Sequence, residues 1–137
     1  MRQIKVYVAS KLRHAALIKG FARDGFHFNA RWLDTGNLAI NSAKPVTHWL
    51  EENFDDIRTC DCLIVYAEEG EHLRTAIGEA FFAIAHGKPV FVIGEHEDYA
   101  PWCFYSPQVR RAATFRAALD SVQLEMRPKP YAVNVKE

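Results

Sequence analysis

Apolar residues recur along this chain in two alternating rhythms. Ile4 to Ala9, Cys62 to Ala67 and Pro89 to Gly94 are short, near-continuous runs of Val, Ile and their like. Such runs predict strands covered on both faces. Between the second and third of them, Leu73, Ala76, Ile77, Ala80, Phe81 and Ile84 fall at i, i+3, i+4, i+7, i+8 and i+11. That spacing predicts an amphipathic helix over Leu73 to His86, with Gly87 stopping it. Earlier in the chain, Leu12, Ala15, Ala16 and Phe21 mark a helix from Leu12 to Asp24, which Gly25 closes. The alternation of His27, Asn29 and Arg31 predicts a strand from Phe26 to Leu33. A loop from Asp34 to Ala43, carrying Gly36, Asn37 and Asn41, leads to a helix over Lys44 to Thr59, with Pro45 in its first turn. Glu95 to Gln108 reads as a long loop rich in aromatic residues. A short strand at Val109 to Ala112 and a helix at Thr114 to Leu124 complete the pattern, and the tail from Arg127 reads as extended.

Strands that alternate with helices at this spacing imply crossover connections and a parallel sheet. The expected fold is α/β: a flavodoxin/Rossmann-like three-layer sandwich with a mostly parallel five-stranded sheet in the order 2-1-3-4-5. Residues 1–126 form one domain in this reading and 127–137 an extended C-terminal tail. Ligands in such sheets bind at the carboxyl ends of the strands, beside the point where strand order reverses. Here that point lies between the first and third strands. It nominates Ser10, Lys11 and Arg13 after the first, and Glu68 to Thr75 after the third.

Composition narrows the function. The chain has 137 residues, 49% hydrophobic and 25% charged, with 17 basic and 17 acidic side chains and no net charge. A duplex-binding module usually needs a basic face, so zero net charge argues against polymeric nucleic acid, whereas a small phosphorylated ligand needs only one or two local cations. No apolar run approaches the roughly 20 residues of a membrane span, and the opening strand carries no cleavage signature of a secretory leader. Three cysteines, Cys60, Cys62 and Cys103, are too few for a disulfide framework and lack the spacing of a zinc site. A cytoplasmic protein with reduced thiols, no metal and no organic cofactor is the expectation. Walker A, GxGxxG, HExxH and GxSxG motifs are all missing.

What remains is a carboxylate, Glu79, in the second turn of the most regular helix. It shares a face with Thr75 and His72 at the border of the apolar stripe. A solvated surface glutamate is the plain alternative. However, the string from Glu79 through Gly87-Lys88-Pro89-Val90 resembles the E-x-G-x-A-x-x-x-G-K-P-V signature of the nucleoside 2-deoxyribosyltransferase-like family, which includes nucleotide N-glycosidases. The first strand, Val6-Tyr7-Val8-Ala9-Ser10 followed by Arg13, is similar to that family's opening. So is Asp56-Ile57 leading through Cys60-Asp61 into the third strand.

The resemblance implies that Glu79 is a nucleophile attacking the anomeric carbon of a nucleoside or its 5′-monophosphate. It implies that Tyr7 donates a hydrogen bond to that glutamate. Such a carboxylate captures or stabilises the oxocarbenium-like state through which an N-glycosidic bond breaks. Ser10, Arg13, Arg74 and Thr75 would then hold a 5′-phosphate, and Asp61 joins the substrate-binding set. Trp102, on the long loop, would stack on a base or meet a partner subunit. The resemblance further implies a homodimer or higher oligomer in which a neighbour completes the pocket.

The chain departs from the family pattern in three places. Asn53 stands where the family has an aspartate that handles the base, and an amide cannot act as a general acid. Asp55 or Asp56 would have to substitute. Leu73-Arg74-Thr75 replaces the small residues before the nucleophile, and Phe81 replaces a glycine just after it, which predicts tighter packing. The chemistry expected is cleavage or transfer of an N-glycosidic bond. The alternative is a non-catalytic nucleotide-binding or sensing protein on the same fold, and a third reading is a purely structural or interaction domain.

Overall fold

A computed structural model describes residues 2–35, 46–99, 104 and 106–126. Five strands form one parallel sheet: β1 (Ile4–Ala9), β2 (Phe26–Phe28), β3 (Cys62–Val65), β4 (Val90–Ile93) and β5 (Val109–Ala112), in the order β2-β1-β3-β4-β5. This is the α/β architecture and strand order that the sequence pattern predicts. β1 and β3 pair from Val6 with Cys62 to Ala9 with Val65, so Tyr7 lies beside Leu63.

Helices cover both faces. Successive strand side chains point to opposite sides, and long-range contacts assign the sides. Tyr7 reaches Glu79 on α4 (Arg74–Ala85), and a Phe54–Phe82 stack at 4.2 Å packs α3 (Val46–Arg58) beside α4. On the other face Arg110 of β5 bonds Glu125 of α5 (Phe115–Met126). Phe21, just past α1 (Ala15–Lys19), stacks on Phe115 there at 4.6 Å. Val6, Tyr7, Val8, Ala9 and all of β3 and β4 are buried, as strands between two helical layers must be.

Several elements are shorter than their sequence patterns suggest. The first helix splits into a 3-10 turn at Leu12–His14 and a brief α1. β2 ends at Phe28 instead of running to Leu33. Asn29 and Arg31 turn away to bond α3, and a one-turn α2 (Trp32–Thr35) follows. There Trp32 is a core residue whose Nε1 donates to the Val8 carbonyl at 2.9 Å. Gly87 does end α4. At φ 73° it takes the left-handed conformation, with Gly87 N–H donating to Ile84 O and Lys88 N–H to Ala83 O, the paired bonds of a Schellman stop. Tyr99 and Phe104 of the long loop are buried in the core, not presented to a ligand. Lys44, Pro45, most of the 34–43 loop, Trp102, Tyr105 and the 127–137 tail lie outside the described residues. No helix among the described residues is long and apolar enough to cross a membrane.

Candidate active site

α4 follows β3 and runs back along the sheet, so its first turn lies at the carboxyl edge. Ala76, Glu79, Ala80 and Ala83 form its inward stripe. Small alanines let the helix approach the sheet closely, and Glu79 is the one charged residue among them. Glu79 lies about 7–8 Å along the axis from the helix start, one turn below the exposed Thr75. It is only 5% exposed.

Two side chains from other elements meet this carboxylate. Tyr7, fully buried on β1, donates from its hydroxyl to Glu79 Oε2 at 2.7 Å. Asn53, from the middle of α3, supplies a second side-chain hydrogen bond. Burial dominates the electrostatics and pushes the Glu79 carboxyl from 4.5 up to about 7, while the bonds from Tyr7 and Asn53 pull it down. The Tyr7 phenol is driven well above 10, first by its own burial, then by the Glu79 charge and the shared bond, with a further contribution from Asp56. Tyr7 therefore stays a hydrogen-bond donor at every physiological pH. Glu79 is poised between acid and carboxylate near neutrality, with donors in place to receive its charged form.

Three residues that the sequence nominates, Tyr7, Asn53 and Glu79, thus converge from β1, α3 and α4. Other nominated residues are placed differently. Asp56 is buried but committed: its carboxylate accepts from the Arg31 backbone N–H at 2.9 Å and from Arg31 Nε at 3.0 Å. Asp55 is exposed and paired with Arg58. Neither is a free acid for the leaving base. Asp61 sits where the chain enters β3, at the amino edge, bonded to Lys5 N–H at 2.8 Å and to Arg2. The sheet separates it from any ligand at the carboxyl edge, so it leaves the substrate-binding set.

Two of the four residues of the expected phosphate cradle are engaged within the protein. Ser10 donates to the Tyr66 carbonyl at 2.7 Å, and Arg13 is ion-paired with Glu71. Arg74 and Thr75 are exposed on the first turn of α4, where Asp98 accepts the Leu73 N–H at 3.0 Å. Phe81 lies two residues beyond Glu79, about 200° around the helix, and packs against Phe104. It does not tighten the site, contrary to the sequence expectation.

Sequence spacing also hid a second group of polar side chains. Glu71 is buried and accepts from His14 Nε2 at 2.8 Å, from Arg13 and, through Oε1, from the Glu68 N–H at 2.8 Å. Burial pushes the Glu71 carboxyl up, but the Glu68 N–H, His14 and Arg13 outweigh it and hold the group below its ordinary value. His14, Glu68 and Glu71 bring ligand-type atoms within 4.8 Å of one another. Arg13 and His14 converge on one Glu71 oxygen, and the Arg13 guanidinium supplies positive charge there. Glu68 and Glu71 fall in the Glu68 to Thr75 stretch that the strand-end rule nominates, but nothing in the sequence singled them out within it. His14 and Arg31 gave no signal, because their partners are distant in sequence. No protein-family model matches the chain, and no curated protein matches it.

Proposed function

We propose that the protein cleaves or transfers the N-glycosidic bond of a nucleoside or its 5′-monophosphate, with Glu79 as nucleophile. The observation that supports this reading is the convergence of Tyr7 and Asn53 on a buried Glu79 carboxylate. A carboxylate stripped of water and held by two neutral donors is reactive toward an electron-poor carbon, and among the described residues no cation is paired with it. In the reaction, a Glu79 oxygen forms a bond to the anomeric carbon as the bond to the base nitrogen breaks. The base leaves with that electron pair and takes a proton from solvent, since Asn53 has none to give. Water or an acceptor base then attacks the same carbon, its proton passes to solvent, and Glu79 departs as carboxylate. Tyr7 and Asn53 hold the carboxylate in register throughout. Substrate enters from the carboxyl edge past Thr75. The resemblance of the Glu79 to Val90 string extends this reading to an enzyme that works as a homodimer or higher oligomer, and the sparse cysteines favour a cytoplasmic one.

Free-base release tests the proposal on a panel of nucleosides and 5′-monophosphates, with and without acceptor base, for wild type and Glu79→Ala. Release that depends on Glu79 is the expected result, and its acceptor dependence sorts transferase from hydrolase. Release undiminished in Glu79→Ala removes Glu79 from the mechanism. A second reading, a non-catalytic nucleotide binder, is favoured by Asn53 at the position of the expected acid. Its signature is ligand-induced thermal stabilisation without release.

A further inference from the structure

Asn53 can meet Glu79 only if α3 sits at a suitable height and rotation, and residues outside the site bond this helix. Asn29, just past β2, donates from Nδ2 to the Asp56 carbonyl at 2.7 Å and to Thr59 Oγ1 at 2.9 Å. Arg31 grips the same helix at two successive turns. Its backbone N–H and Nε hold the Asp56 carboxylate at 2.9 and 3.0 Å, and Nη2 lies 3.0 Å from Oδ1. One turn earlier, Nη2 donates to the Glu52 carbonyl at 3.4 Å and Nη1 lies 3.5 Å from Glu52 Oε2. Asn53 lies on the stretch between these two grips. A guanidinium is a rigid planar fork, so contacts to two turns fix rotation as well as distance, which a single lysine amine cannot do.

We infer that Arg31 is a positioning residue of the Glu79 site: by gripping Glu52 and Asp56 together it fixes the turn of α3 that presents Asn53 to the carboxylate. The inference rests on the proposed function only in taking Glu79 as the working group. Among the described residues, the groups facing Glu79 come from β1, α3, β3 and β4. β1 contributes Tyr7, and α3 contributes Asn53, with Asp56 and Cys60 close enough to act on Tyr7. β3 and β4 present Leu63, Val65, Val90 and Val92 on the side of the sheet that Tyr7 faces. Arg74 and His86 at the two ends of α4 are exposed. Loss of the Asn53 bond therefore has a direct reporter, because that bond favours the ionised form of Glu79.

The test is an NMR titration of the Glu79 side-chain carboxyl in the full chain. Asn53→Ala is expected to raise the midpoint by roughly half a pH unit or more. Arg31→Met is expected to raise it comparably, and the double variant no further than Asn53→Ala alone. Arg31→Lys keeps the charge but loses the fork. It is expected to shift the midpoint less than Arg31→Met and not at all in the Asn53→Ala background, and it gives the same comparison if Arg31→Met does not fold. An unchanged midpoint in the Arg31 variants overturns the inference. So does a shift that adds in full to that of Asn53→Ala, which would mean that Arg31 acts through the charge of Asp56. Titration needs no substrate, so wild type that releases no base from any nucleoside would defeat the proposed function and leave this result readable.

Discussion

Glu79→Gln keeps the shape of the side chain and removes its charge, which isolates the cost of ionising a carboxyl inside the core. In the folded chain this group holds its proton up to about pH 7, against 4.5 for a solvated glutamate. The folded state therefore binds more protons than the unfolded state between those values, and stability falls as pH rises through that window. Below about 4.5 the penalty is absent; above about 7 it is complete and constant. A shift of this size corresponds to about 3 kcal/mol, with about 1 kcal/mol already present at pH 5.

Glutamine cannot ionise. Its carbonyl still accepts from Tyr7, and the Asn53 amide can turn to accept from the new NH2. The variant should match wild type in mild acid and exceed it by about 3 kcal/mol at pH 8. In a domain of this size that gap amounts to roughly 10 °C in Tm. Thermal melts of both proteins at half-unit steps from pH 4.5 to 8.5 measure it, and taking the difference at each pH cancels the other titrating groups. A Tm gap that does not change with pH, or a variant less stable than wild type at pH 8, would refute the reasoning. Base release by the same variant should be abolished, so stability and turnover should move in opposite directions.

Tyr7→Phe leaves the carboxylate short of a donor; it should move the Glu79 midpoint above 7 and lower stability at pH 8 by about 1–3 kcal/mol. A melt at pH 5, where Glu79 is protonated, should show a smaller loss. Glu71 behaves with the opposite sign, because its carboxyl is held below the ordinary value. Its contribution is present above that value and is lost as pH falls. Glu71→Gln should destabilise by about 1–2 kcal/mol at pH 7, and denaturant unfolding should show the deficit shrinking toward acid pH.

The layout of the fold was legible in local patterns. The period of the α4 stripe and the apolar runs of β1, β3 and β4 are short-range signals, and they placed the elements and the strand order. Local rules also specified Gly87, since a helix stop needs a left-handed residue at one position. The alternation of His27, Asn29 and Arg31 misled for an equally physical reason. Two-residue periodicity extends a strand on paper, but the side chains of Asn29 and Arg31 find partners on α3, and the chain leaves the sheet after the Asn29 N–H bonds the Val6 carbonyl.

The site divides along the same line. Sequence alone determined that Glu79 borders an apolar helix face, that Tyr7 lies on a core strand, and that an amide stands at position 53. Tertiary structure decided that these three meet, although Tyr7 and Glu79 are 72 residues apart. It also decided that Asp56 and Arg13 are already spoken for, by Arg31 and Glu71. Periodicity reports which way a side chain points relative to its own helix or strand. Burial, ion-pair choice and the resulting proton affinity depend on atoms that come close only when the whole sheet is assembled.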